Sequence, residues 1–227
     1  RRVVLPSAYN AKGAVRMISV ALLFDNTNNW LSEYIPEYLC TSQKFNVTIC
    51  YNEKEVRGFD LVFVLGYTKL LKGEILYANK LLLVIHESDL PKGRGFAPVQ
   101  WQILEGKNSI TFCLLKVSNE ADTGEIFDRI LLSFDGTELY EEIRRKQALI
   151  TFELIAKFLD KYPNLSFEKQ RGEPTFYPRR NPSDSQLDVD QTIRNQFNLL
   201  RICNNKEWPA FFEIAGVRYQ IKIEKIN

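Results

Sequence analysis

Residues 81–95 read Leu-Leu-Leu-Val-Ile-His-Glu-Ser-Asp-Leu-Pro-Lys-Gly-Arg-Gly. Five apolar residues, Leu81–Ile85, stop at a histidine, and a polar stretch with one proline and two glycines follows. A run that is apolar on both faces suits a strand buried inside a parallel sheet, because helices cover such a sheet above and below. The proline and glycines then turn the chain. Working outward, Ile18–Phe24, Phe45–Cys50, Asp60–Leu65 and Ile110–Leu115 have the same character. Between and after them lie helical stretches at Leu31–Leu39, Pro98–Leu104 and Thr137–Leu159. In the last, Leu139, Ile143, Leu149, Phe152, Ile155 and Leu159 recur at helical spacing. Short apolar strands alternating with amphipathic helices predict an α/β fold with a mostly parallel sheet and flanking helices.

Past Tyr162-Pro163 the character changes. Arg171–Ser185, rich in Pro, Arg, Asn and Ser, reads as an extended loop, Gln191–Arg201 as a short helix, and Ala210–Ile214 with Val217–Ile223 as a hairpin turning at Ala215-Gly216. Met17 is the only methionine and stands directly before the first strand, while residues 1–16 carry no periodic apolar pattern. The expected division is therefore a leader or vector-derived segment at 1–16, a main domain at 17–165, and a C-terminal loop, helix and β-hairpin extension at 166–227.

The composition narrows the function. With a formal charge of +2 over 227 residues, the chain lacks the excess of Lys and Arg that non-specific nucleic-acid binding needs. Its apolar runs are too short to span a bilayer. Cys40, Cys50, Cys113 and Cys203 are scattered without a CxxC or Cys/His pairing, so they read as reduced core residues and point to no metal. The expectation is a cytoplasmic protein with neither a nucleic-acid nor a membrane partner.

In open α/β sheets the ligand crevice lies beyond the carboxyl ends of the parallel strands. Three such ends carry polar residues here: Asp25-Asn26, Gly66-Tyr67 and His86-Glu87-Ser88. His86, the only histidine, leaves a rigid strand at the mouth of the expected crevice. An imidazole with an ordinary pKa of about 6.5 exchanges protons near neutral pH. A lone histidine is more often a structural or surface residue than a catalytic one, and it is the strand-end position that shifts the balance. Asp122, ahead of Thr123-Gly124, reads by itself as an Asx turn.

The segment His86-Glu87-Ser88-Asp89-Leu90-Pro91-Lys92-Gly93-Arg94-Gly95, followed by Pro98 and Trp101, resembles the active-site loop of the folate-dependent formyltransferases. Glu120-Ala121-Asp122-Thr123-Gly124-Glu125-Ile126 resembles the second motif of that family. Leu65-Gly66-Tyr67 with Leu76, and the tail from Tyr177-Pro178-Arg179-Arg180 to Trp208-Pro209-Ala210-Phe211, resemble its nucleotide-linked amino-sugar branch. The likeness covers most of residues 17–223. It implies a Rossmann-like fold, 10-formyltetrahydrofolate as co-substrate, and His86 and Asp122 as catalytic residues. By the same resemblance Leu83, Val84, Ile85, Arg94, Gly95 and Asp122 would contact the folate. Asn26, Tyr67, Glu87, Ser88, Lys92 and Arg179 would contact the acceptor.

One position departs from the family. Its signature is Asn-x-His, and Val84 stands where the asparagine belongs. In the family that amide helps hold the formyl oxygen, and losing one such donor costs about 100- to 1000-fold in rate. Asn79 and Asn26 are the other amides near strand ends. Several roles stay open: His86 as proton acceptor or oxyanion stabiliser, Arg94 as solvated charge or anchor for the folate glutamate, Tyr67 as stacking surface or core cap, Arg179-Arg180 as diphosphate site or solvated pair. Gly93 and Gly95 read as conformational glycines and Trp101 as a core residue. The implied acceptor is a nucleotide-linked amino sugar of bacterial surface glycan biosynthesis, with a homodimer as an allowed assembly. The alternatives are an aminoacyl group on a carrier or tRNA, the tRNA calling for a larger basic C-terminal domain, and a folate- or sugar-nucleotide-binding protein without catalysis.

Overall fold

The computed structural model describes residues 16–226, so the expected leader lies outside the described residues except for Arg16. In chain order the main strands are β1 (Ile18–Leu23), β2 (Phe45–Cys50), β3 (Leu61–Val64), β4 (Leu82–His86), β5 (Arg94–Gly95), β6 (Ser109–Lys116) and β7 (Ile126–Ser133). The rest are β8 (Phe176–Tyr177), β9 (Ala210–Ile214) and β10 (Val217–Ile221), and the helices are α1 (Glu37–Cys40), α2 (Pro98–Leu104), α3 (Tyr140–Lys161) and α4 (Ile193–Ile202). Six strands form one sheet in the order β2-β1-β3-β4-β6-β7. β1 pairs in parallel with β2 and β3, and β3 with β4, as the apolar runs predict.

The other half of the sheet is antiparallel: β6 runs against both β4 and β7. Between β4 and β6 the only helix is the seven-residue α2. At about 10 Å it is too short to return the chain to the starting edge of β4. The sequence reading has no strand at Ile126–Ser133. Asp128 and Arg129 break its apolar run, because β7 is an edge strand, and charged residues there discourage further pairing.

The continuous helix expected over Leu31–Leu39 is instead a 3-10 turn, Trp30–Tyr34, capped by Asn29, followed by the single turn α1. Pro36 is the cause. It forces Ile35 into an extended conformation (φ −60°, ψ 120°) and ends the first turn. α3 starts three residues later than expected, after a turn in which the Thr137 N–H and hydroxyl both donate to Asp135. Leu149, placed on its buried face by the reading, is 61% exposed, and Ile143, Phe152, Ile155, Phe158 and Leu159 face the core.

Strand alternation splits the core in two. Val20, Leu22, Leu61, Phe63, Leu83, Phe112 and Leu114 point to the face covered by α3. Ala21, Leu23, Val62, Val64 and Leu82 point to the other, against Val56, Leu71 and Ile75. On that second face a smaller patch forms from Leu90, Cys113, Leu115 and Ile126, beside Val84. The three buried cysteines and the exposed Cys40 are all free thiols. α4, capped by the Thr192 hydroxyl, docks through Ile202 on the main core and through Leu200 on a small cluster with Leu187, Cys203 and Ala210. β9 and β10 form the expected hairpin, with Ala215 and Gly216 at φ 51° and 78° in its turn. Since β1, β3 and β4 are parallel, Asp25, Gly66 and His86 emerge along one edge. Among the described residues no helix is long and apolar enough to cross a membrane.

Candidate active site

His86 ends β4 with 5% of its surface exposed. Its Nδ1 lies 3.3 Å from Oδ1 of Asp122, and its Nε2 lies 2.8 Å from the carbonyl oxygen of Gly93. Both neighbours are hydrogen-bond acceptors. Either neutral tautomer satisfies one of them, and only the doubly protonated ring donates to both. The pair is brought together by topology: β4 and β6 are antiparallel neighbours, and the loop leaving β6 carries Asp122 back over the end of β4.

Asp122 sits at φ +58°, a conformation that side-chain-bearing residues rarely adopt, so its surroundings must hold it. Its Oδ2 accepts the Gly95 N–H at 2.9 Å. Gln170 donates to the carbonyls of Asp122 and Gly124, at 2.7 and 2.9 Å. Two glycines permit the close packing. Gly95 has φ +104°, and a Cβ there would collide with the Tyr177 carbonyl. At Gly124 a Cβ would collide with the Lys116 carbonyl.

The segment after α3, including the extended loop expected at Arg171–Ser185, is a strap across this site. Glu168 bridges Ile126. The Thr175 hydroxyl accepts the Gly93 N–H at 2.8 Å, and β8 pairs in parallel with β5. Trp101, expected in the core, lies under the strap instead: its indole N–H donates to the Pro178 carbonyl and its ring stacks on Tyr177.

The other residues singled out divide clearly. Leu83 is fully buried in the main core, whereas Val84 and Ile85 stay half-buried on opposite faces of β4. Ser88 is also buried. Its hydroxyl donates to the Lys92 carbonyl at 2.7 Å, so it closes the loop and faces no acceptor. Arg94 donates to Gln170 at 2.7 Å, which makes it neither a solvated charge nor a free anchor. Lys92 is exposed.

Glu87 is half-exposed as a residue, yet burial pushes its carboxyl above the usual range against the pull of His86 and Arg144. Tyr67 packs on the second core patch and donates to Glu53. Burial, with the Glu53 charge, pushes its phenol up to about 12. It caps the core. Asn26 is exposed and bonded to Asp25. Asp25 also accepts from Thr68 and Asn29, tying the ends of β1 and β3 together. Arg179 donates to the Thr68 carbonyl while its guanidinium lies 4.2 Å from the centre of the Phe96 ring, so the tail joins the β3 end to the His86 loop.

Comparison with known proteins fits this geometry. The pattern of the family described as "Formyl transferase" matches residues 26–149, more than half of the chain. The chain belongs to the formyl transferase family. This formyl transferase chain is 30% identical over 201 residues to a methionyl-tRNA formyltransferase of Rickettsia massiliae, covering 85% of itself and 61% of that protein. It spans between about half and three-fifths of the length of such curated relatives. Its fold matches a methionyl-tRNA formyltransferase from Clostridium thermocellum with a TM-score of 0.78 at 24% identity, covering 93% of this chain and 94% of that one. It also matches a sugar N-formyltransferase from Shewanella sp FDAARGOS_354 with a TM-score of 0.68 at 16% identity, covering 93% and 100%.

Within the candidate site, neither Asn79 nor Asn26 lies beside His86. Asn79 donates to the Val56 and Ile75 carbonyls and accepts from the Phe59 N–H, at the far end of β4. Asn26 is at the β1 end, bonded to Asp25 and Asn28. Gln170 and Thr175 escaped the sequence reading altogether. Each acts on residues 46 to 82 positions away, and the polar stretch around them carries no periodic signal.

Proposed function

We propose that the chain transfers a formyl group from 10-formyltetrahydrofolate to the amine of a nucleotide-linked amino sugar, with residues 17–165 as the catalytic domain and 166–227 as its extension. The observation that carries the chemistry is the pairing of the buried His86 with the partly buried Asp122 at 3.3 Å, held at a strand end. Formyl transfer needs a neutral amine, an acceptor for its proton, and support for the oxygen that gains negative charge. Asp122 orients His86 through Nδ1, and His86 accepts the amine proton or supports the developing oxyanion. Because Nε2 is engaged by Gly93, a reacting group reaches that nitrogen only by displacing the Gly93 carbonyl. Val84, two residues before His86 on the same face of β4, offers apolar surface of the kind a pteridine ring covers.

The amino-sugar acceptor is supported by the His86–Gly95 loop, whose form is closer to that branch, and by a near-balanced charge of +2. Arg179, joined to both the β3 end and the His86 loop, lies where a diphosphate could be recognised. The methionyl-tRNA acceptor is the second reading, favoured by the curated relatives. The deciding experiment incubates the chain with 10-formyltetrahydrofolate and, separately, a panel of nucleotide-linked amino sugars and methionyl-tRNA, and follows release of tetrahydrofolate. Turnover with a sugar is expected. Turnover with methionyl-tRNA alone would replace the acceptor, and no turnover with any amine would overturn the enzymatic reading.

A further inference from the structure

Gln170 lies nine residues beyond the end of α3, outside both motifs that resemble the formyltransferases. Its side chain nevertheless makes three hydrogen bonds at the catalytic pair. The amide nitrogen donates to the carbonyls of Asp122 and Gly124, which flank the Thr123 turn, and the amide oxygen accepts from Nη2 of Arg94 at 2.7 Å. The orientation is fixed by its neighbours. Flipping the amide would set oxygen against two carbonyl oxygens and nitrogen against a guanidinium.

These bonds close a circuit. Gln170 holds the backbone of Asp122, the Asp122 carboxylate holds the Gly95 N–H, and Arg94, next to Gly95, returns to Gln170. Asp122 needs such a clamp because at φ +58° its backbone is not self-sustaining. Gln170 is the side-chain partner of the Arg94 guanidinium, whose Nε is buried without one.

We propose that Gln170 is a positioning residue that sets the Asp122 carboxylate against His86 and so couples the strap after α3 to the catalytic pair. The consequence for turnover rests on the formyl-transfer reading; the consequence for His86 does not.

Three variants test it. Gln170→Ala removes the whole clamp. Gln170→Glu keeps an acceptor for Arg94 but turns a carboxylate oxygen toward the two carbonyls, so it breaks only the Asp122 half. Arg171→Ala, at an exposed neighbouring position, is the control. His86 is the only histidine, so its imidazole nitrogen resonances are assigned without ambiguity in 15N-histidine-labelled protein. Q170A and Q170E are expected to move those resonances toward their positions in Asp122→Asn, and R171A to leave them in place. In the turnover assay kcat should fall about tenfold or more in both Gln170 variants while KM stays within about twofold, as expected when a catalytic group is misaligned by a fraction of an ångström.

Wild-type resonances in Q170E would overturn the proposal, as would a rise in KM with kcat unchanged. Should Q170A fail to fold, Q170E carries the test, since it keeps the Arg94 contact. The resonances need no substrate, so an altered His86 spectrum in a chain without formyl-transfer activity would sink the functional reading and leave the positioning role standing.

Discussion

Gly124→Ala is the sharpest perturbation of this site, because its effect follows from one distance. A Cβ at position 124 would lie far inside 3.0 Å of the Lys116 carbonyl oxygen, and ordinary contact begins at 3.4 Å. That oxygen belongs to β6, which is paired there with β4 (Lys116 opposite Leu83, and the Val117 N–H bonded to the Leu82 carbonyl at 2.9 Å), so the strand cannot yield. The 122–124 turn must retreat by about 1 Å, and a misplacement of that size costs about 100-fold in turnover. The 3.3 Å separation of Nδ1 from Oδ1 is already long and has no slack to absorb it. Gln170 would lose its bond to the Gly124 carbonyl as well. Overpacking of this kind should lower stability by about 1–3 kcal/mol.

The assay pairs steady-state kinetics with urea unfolding. The comparison variant is Gly106→Ala, which has a positive φ (+84°), unlike Gly124, and nothing within 4 Å of the added Cβ. Its backbone strain should cost about 1 kcal/mol and leave turnover unchanged. A folded G124A protein with kcat within threefold of wild type would refute the claim that close packing of this turn on β6 aligns Asp122.

His86→Asn and Asp122→Asn should each nearly abolish formyl transfer while circular dichroism stays native; near-full turnover in either would remove that residue from the chemistry. Glu87→Gln mimics the protonated carboxyl that burial favours. A carboxyl whose folded value is raised supports folding below its unfolded value of about 4.3 and opposes it once pH climbs through the folded value. E87Q should therefore melt higher than wild type at pH 8 and equally at pH 4, and no gain at pH 8 would contradict the assignment. Asp60 behaves oppositely. Burial pushes its carboxyl up, but Lys80 and the N–H and hydroxyl of Ser19 pull it below the usual range. Its stabilisation is present above the unfolded value of about 3.9 and fades as pH falls through the folded one. Asp60→Asn should cost about 1–3 kcal/mol at pH 7 in urea unfolding and much less at pH 3; an equal loss at both would show that the charge is not what Ser19 and Lys80 hold.

The sequence by itself determined the strands, because a buried parallel strand must be apolar on both faces and Leu61–Val64 and Leu82–Ile85 can be little else. It placed His86 at a strand end, and the short polar motif around Asp122 resembled a known partner for it. It could not show that half the sheet turns antiparallel, since the direction of β6 depends on how far α2 carries the chain. Nor could it show β7, whose Asp128 and Arg129 are tolerated because the strand is at an edge. Periodicity exposed Leu149 to misreading for a related reason: it shares the exposed side of α3 with Arg145 and Glu153, and only packing against the sheet decides which side of an apolar stripe is covered. The binding residues fared least evenly. Leu83 shares a strand with His86 but points to the opposite face into the core, and Ser88, Arg94 and Tyr67 spend their polar atoms on neighbours. What holds Asp122 against His86 was decided only in three dimensions. Gln170 and Thr175 reach the site across 46 to 82 residues of chain, and hydrogen bonds at that separation leave no local pattern to read.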